Sequence, residues 1–299
     1  MNTSKILEYY IDAHVSNINI KNIPKNINLI LDGGAFNGGS IVGNLLILKQ
    51  LEKQGHIKIQ KISGCSIGAL LGLLFIIDKL DCAAYYFKEL LKNLRQDIQL
   101  NKIKKMIKEI VQNIDIANIN KRLYITYNNV LTLEHVVTSQ YNSKKDLIEI
   151  LIQSAYIPIL IDGDIRYKNK YCDGFSPYIF NKENIPTLFI SLMTTEKVKY
   201  MIYTKKDTDI WPRLFEGVED MYKFFNTGQS KHCNYIEDWN ISDFIVFRFR
   251  EIIITGIIIT INLFIRFKNF KYVKHDIYVK RFIKILTLFI QNILTYMVI

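Results

Sequence analysis

Residues 57–77 read IKIQKISGCSIGALLGLLFII. An apolar, strand-like run ends in Gly64-Cys65-Ser66-Ile67-Gly68 and passes without a spacer into a segment apolar on every side, which belongs inside the protein as a buried helix. A small hydroxyl boxed between two glycines at a strand-to-helix junction has two readings. Serine is a favoured helix N-cap, and glycine eases a tight turn. G-x-S-x-G is also the nucleophile-elbow pattern, in which the glycines let the backbone bend hard enough to expose the serine oxygen at the edge of a sheet. A helix starting at Ile67 favours negative charge that develops beside it.

Working outward, INLIL (Ile27 to Leu31) reads as a buried strand ending at the turn DGGAFNGG. From Ser40, Ile41, Leu45, Leu48 and Leu51 recur at helical spacing. Strand, helix, strand, helix in so short a stretch implies parallel strands joined by right-handed crossovers, an α/β fold. Further on, Asp81 to Asn120 reads as two solvent-facing helices, RLYITY (Arg122 to Tyr127) as a strand, KKDLIEILIQSAY as a helix and TLFISL (Thr187 to Leu192) as a strand. DIRYKNKYCDGFSP reads as a hairpin that turns at Lys168 and Asn169 and empties into Asp173-Gly174.

The turn after the first strand points backbone N–H groups outward, where they can hold developing negative charge. Nucleotide loops do the same, but their spacing fails: Ala35 stands where G-x-G-x-x-G needs glycine, and 34–40 lacks the P-loop lysine. A serine hydroxyl needs a base to become a nucleophile. The downstream candidates are His135, His232 and His275, of which His232 in TGQSKHCNY is the best placed, and Asp173 is the alternative.

The 299 residues carry a net charge of +11. From Ile241 onward nine Lys and Arg face only Asp243, Glu251 and Asp276, so about half of the surplus lies in the last fifth of the chain. These cations interleave with long aliphatics and match no nucleic-acid reader motif, which leaves an anionic membrane surface as the expected partner and no nucleic acid. The run IIITGIIITINLFI (Ile252 to Ile265) would make a helix of ~21 Å, short of a ~30 Å hydrocarbon core. It and the closing run ILTLFIQNILTYMVI either pack on the domain or lie in a membrane interface between basic flanks. Four widely spaced cysteines and five histidines form no ligand pattern, so no metal or cofactor is expected and a reducing, intracellular setting is the simpler one. Glu8 and Asp12 interrupt the first apolar run, unlike a signal peptide. The expected organisation is an N-terminal helix and linker (1–25), a main domain (26–240) and a hydrophobic, basic C-terminal region (241–299).

LILDGGAFNGGSIVGNLLILKQLE, ISGCSIGALLGLL, SAYIPIL and YCDGF together resemble, in order, the patatin-like phospholipase family, over about Asn26 to Leu192. The resemblance implies a three-layer α/β/α sandwich with a mostly parallel sheet, and hydrolysis of lipid or phospholipid acyl esters by a Ser–Asp dyad. Matched by motif, Ser66 is the nucleophile and Asp173 the base; amides of Gly33, Gly34 and Ala35 form the oxyanion hole, and Gly38, Gly64, Gly68 and Gly174 are motif glycines. Three positions depart from the pattern: Ala35 replaces a glycine, Asn37 an arginine, and Phe175 a glycine or alanine, where its ring is expected to crowd the dyad. An exposed Asp, with a pKa of about 4, is a weak base at neutral pH, so such a dyad requires a dry site. Two alternatives accompany this reading: a Ser-His-Asp esterase using His232, and a membrane-binding module that kept the fold without turnover.

Overall fold

A computed structural model describes residues 3–34, 38–94, 99–180, 184–192 and 209–269, with short helical stretches between 277 and 292. The fold is α/β, built on a mixed sheet of seven strands. Helix α1 (Thr3–Ser16) leads through a short turn into β1 (Asn26–Leu31), α2 (Gly38–Lys53), β2 (Lys58–Cys65) and α3 (Ile67–Ile76). Helices α4 (Ala83–Leu94) and α5 (Leu100–Val111) precede β3 (Leu123–Asn129), β4 (Glu134–Thr138), α6 (Lys144–Ser154), β5 (Tyr171–Asp173) and β6 (Thr187–Ile190). Helix α7 (Trp211–Thr227), β7 (Cys233–Tyr235) and the 29-residue α8 (Ile241–Asn269) complete the described elements.

The strand order is β4-β3-β2-β1-β6-β7, with β5 also on β3. The neighbours β3-β2, β2-β1 and β1-β6 are parallel, and β4, β5 and β7 are antiparallel to their partners. Alternation along β1 divides the core. Ile27, Leu29 and Leu31 join the large cluster that includes residues of α2, α3, α6 and α7. Ile30 points the other way, to Phe180, Phe189 and Phe247 of α8. Both faces of the central strands are therefore dry, which accounts for the unbroken apolar run INLIL.

The helices expected between 81 and 120 are present, but neither is merely solvent-facing: α4 buries Ala83 and Phe87, and α5 buries Ile107, Ile110 and Val111. At the expected hairpin turn, Lys168 and Asn169 both take positive φ (47° and 60°), and Tyr167 bridges Tyr171. The strand that follows, β5, pairs with β3. The C-terminal run of 252–265 is the middle of α8, about 43 Å long at 1.5 Å per residue. Among the described residues no helix is long and apolar enough to cross a membrane. Most of 285–299 lies outside the described residues.

Candidate active site

The site is assembled where β2 stops. Along one edge of β3, β2 supplies partners up to Cys65, which pairs with Thr126; the opposite edge is occupied by β4 from Ile125 onward. At Tyr127 the chain of β2 has already turned away through Ser66 into α3, and β5 takes over the vacated edge with Asp173 opposite Tyr127. The handover sets Ser66 and Asp173 side by side although 107 positions separate them.

Ser66 sits at φ 53°, ψ −126°, a left-handed conformation that costs a non-glycine residue on the order of 1–3 kcal/mol. It occupies the N-cap position of α3, yet its side chain makes no capping hydrogen bond. A helix cap therefore does not explain the serine. Contact explains the flanking glycines: a Cβ on Gly64 would stand 2.6 Å from the amide nitrogen of Ala69, and one on Gly68 2.5 Å from the carbonyl oxygen of Asp32. The bend is held from α6, where Ser154 Oγ accepts the Ser66 amide at 2.9 Å. The carbonyl of Ser154 accepts the amide of Gly174 at 3.4 Å, and the carbonyl of Tyr156 accepts that of Asp173 at 2.8 Å. One helix end thus anchors both loops. The helix expected over KKDLIEILIQSAY is α6, but nothing in the sequence gives Ser154 a role; a serine just inside a helix end carries no local signal of a partner 88 residues away.

Asp173 is 3% exposed, and its pKa is pushed up to about 6 by burial, against the opposing hydrogen bonds of the Phe175 amide and the Ser66 side chain. Oδ1 takes the Phe175 N–H at 2.8 Å, while Oδ2 is buried and completes no hydrogen bond of ordinary geometry. The Ser66 hydroxyl is close enough to lower the carboxyl pKa, so its contact is a loose one, as resting acid–base pairs commonly are. Asn128 Nδ2 fixes the loop by donating to the carbonyls of Asp173 (2.6 Å) and Gly174 (3.1 Å). Gly174 lies flat on β3, where a Cβ would stand 2.4 Å from the Thr126 carbonyl oxygen.

Phe175 packs toward α8. Its φ of 55° shows why glycine suits the position, and its side chain packs with Ile254 and Ile261 of α8 around Val130, Cys172, Ile258 and Ile265. The glycine-rich turn lies directly over the elbow: a Cβ on Gly33 would be 3.0 Å from Cys65 Sγ and 3.7 Å from Ser66 Cβ. The three amides named from sequence fare differently. Gly33 N–H donates back to Asp32 Oδ1 at 2.9 Å. Gly34 N–H finds no acceptor among the described residues. Ala35 and Asn37 lie outside the described residues. Gly38 opens α2, packed against Ile67.

His232 stands just before β7, three strands from β2, or about 14 Å at ~4.8 Å per strand. It is buried, and its carbonyl accepts the Ser191 amide at 2.8 Å; the strand order separates it from Ser66. His135 Nδ1 meets Asn128 Oδ1 at 3.2 Å, one shell behind the Asp173 loop, and His275 is outside the described residues. A cavity of about 260 Å³ lies between β3–β4 and α8, walled by Asn128, His135, Ser176, Glu251 and Ile258 among others; it flanks the pair rather than containing it. All four cysteines are free, and burial pushes the Cys65 thiol well up, which fits an inert filler. Among the described residues no cluster of three or more His, Cys, Asp or Glu is arranged to hold a metal ion.

No protein-family model matches the chain, and no curated protein is similar to it.

Proposed function

We propose that the chain is a serine lipid acyl hydrolase of the patatin-like kind, cleaving fatty acyl esters at a membrane surface with Ser66 as nucleophile and Asp173 as base. The observation that carries this reading is the handover on β3, which sets a dry carboxylate of raised pKa against a strained serine with no capping task. The finer architecture belongs to the same proposal: a three-layer α/β/α sandwich with a mostly parallel sheet, supported by the four parallel central strands and by α8 on the face opposite the main helical cluster.

In the proposed reaction Ser66 Oγ attacks the ester carbonyl while its proton passes to Asp173. The negative charge gathers on the former carbonyl oxygen, beneath the 33–34 amides and the N-terminus of α3. The C–O bond to the leaving alcohol breaks as Asp173 returns the proton to that oxygen, leaving an acyl-serine. Water then loses a proton to Asp173, attacks the acyl carbon, and releases the fatty acid as Ser66 Oγ regains the proton.

Helix α8 supports the membrane part. At 100° per residue, Ile245, Phe249, Ile252, Leu263 and Phe267 fall on one side, all exposed, opposite the buried Phe247, Ile258 and Ile265. Arg248, paired with Glu251, and Arg266 line one edge of this outer apolar face, as cations of an interfacial helix on anionic lipid would. One observation favours the rival reading of a binding module without turnover: the Gly33 amide is already taken by Asp32.

The experiment is hydrolysis of a chromogenic fatty ester and of phospholipid vesicles by wild type, Ser66→Ala, Asp173→Asn and His232→Ala. Loss in the first two variants with activity retained in His232→Ala supports the reading. A wild type that binds anionic vesicles and hydrolyses neither substrate sinks it and leaves the module.

A further inference from the structure

The least expected residue near the site is Arg250. In sequence it only bounds an apolar run; in the fold it lies on the inner side of α8, 218 positions from its main partner. Nη1 donates to Asp32 Oδ2 at 2.8 Å and Nη2 to Asp32 Oδ1 at 2.6 Å, a two-pronged pair with a carboxylate that is 0% exposed. Nη2 also donates to the carbonyl of Phe175 at 2.6 Å. Asp32 begins the glycine turn above the elbow, and Phe175 lies two residues beyond Asp173, with its amide on Asp173 Oδ1. A single guanidinium therefore joins the turn that would receive the oxyanion to the loop that carries the base. Burial opposes its charge, but the Asp32 carboxylate beside it holds the pKa above the ordinary arginine value.

We infer that Arg250 is a positioning residue: by pinning the Asp32–Gly33 turn to the Asp173 loop it sets the geometry in which Ser66 reacts, and it makes α8 part of the active site. The inference rests on the reading of Ser66 as nucleophile. Lysine at this position keeps the charge but cannot span both Asp32 oxygens and the Phe175 carbonyl from one planar group, so it does not replace arginine.

The test uses the full chain, a fluorophosphonate probe that labels an activated serine, and p-nitrophenyl butyrate as substrate. Wild type is expected to take the label at Ser66, and Ser66→Ala to take none. Arg250→Lys and Arg250→Ala are expected to label about 100-fold more slowly, the size of loss that follows a misplacement of about 1 Å, with the deficit in kcat rather than KM. Millimolar methylguanidinium should restore part of the rate to Arg250→Ala, which a general loss of folding would not allow. Asp32→Asn combined with Arg250→Met leaves no buried charge without its partner, so it should stay folded by circular dichroism and remain as slow as Arg250→Ala. Folded Arg250 variants, or the double variant, labelling within twofold of wild type overturn the inference alone. A wild type that takes no label overturns the nucleophile reading and this inference with it.

Discussion

Asp173→Asn should cost the protein its activity and make it more stable at neutral pH. Burial lifts the carboxyl from its ordinary value of 3.8 to about 6, roughly 3 kcal/mol at 1.36 kcal/mol per pH unit. The sign follows from proton binding. Between pH 4 and 6 the folded chain holds the proton that the unfolded chain has lost, so unfolding releases it and stability falls as pH rises through this window. Above pH 6 the folded protein carries the whole penalty of a dry carboxylate, and below pH 4 it carries none. Asparagine keeps an oxygen for the Phe175 amide and never ionises, so the variant escapes the loss. The assay is thermal or denaturant unfolding of wild type and variant at pH 3.5 and pH 8, read as a difference of differences so that any packing cost of the amide cancels. The variant should gain about 3 kcal/mol on wild type between the two pH values, a shift of roughly 5 °C in relative Tm for a chain of 299 residues. An equal gap at both pH values would falsify the claim that Asp173 is held at raised pKa. In wild type the same titration should appear in kcat/KM, rising tenfold per pH unit below about 6 and level above it, since the base must be ionised to accept the serine proton.

Three more outcomes follow from the same geometry. Ser66→Gly should be inactive and melt no lower than wild type, because glycine accepts φ 53° at no steric cost and no capping bond is lost; a drop of several degrees would mean the serine is structural. Ser154→Ala removes the acceptor of the buried Ser66 amide and should cost about 1–3 kcal/mol in denaturant unfolding, with activity falling by more than stability explains; unchanged kinetics in the folded variant would remove Ser154 from the site. Phe249→Glu with Leu263→Glu, both on the outer side of α8, should abolish co-sedimentation with anionic vesicles and leave hydrolysis of a soluble ester intact; retained vesicle binding would move the membrane surface elsewhere.

What sequence could supply here followed from how local each feature is. Strands β1 and β2 were legible because their apolar runs end at glycine turns, helices α2 and α3 because their apolar residues recur at helical spacing or run unbroken, and the elbow because its glycines serve contacts within a few residues and against the adjoining strand. Helix α7 carried a signal that went unused: Leu214, Val218 and Met221 at helical spacing, Pro212 in the first turn, and Gly228 closing the helix at φ 69°. The three-residue β5 was visible only as one arm of a hairpin, and nothing local says that it continues the β3 edge left by β2. Arg250 was hidden for the opposite reason. It sits in a helix apolar nearly all round, where hydropathy marks a boundary of the apolar run and only the sheet's topology reveals a buried carboxylate to pair with.

That carboxylate also bears on the one feature that speaks against turnover. Asp32 accepts four donors: the Gly33 amide, Ser191 Oγ and two nitrogens of Arg250. If the Gly33 peptide rotates toward a substrate, three remain, including both prongs of the ion pair, so the buried charge stays satisfied. Releasing one amide from such a carboxylate costs about 1.5–3 kcal/mol, the net worth of a hydrogen bond to a charged group. An oxyanion-hole donor is worth roughly 2.7–4 kcal/mol to a tetrahedral intermediate that forms beside it. The exchange favours the intermediate only because Arg250 and Ser191 stay behind; with the arginine removed, Asp32 would hold the Gly33 amide as one of its last two partners, and the turn would resist the rotation that the reaction needs.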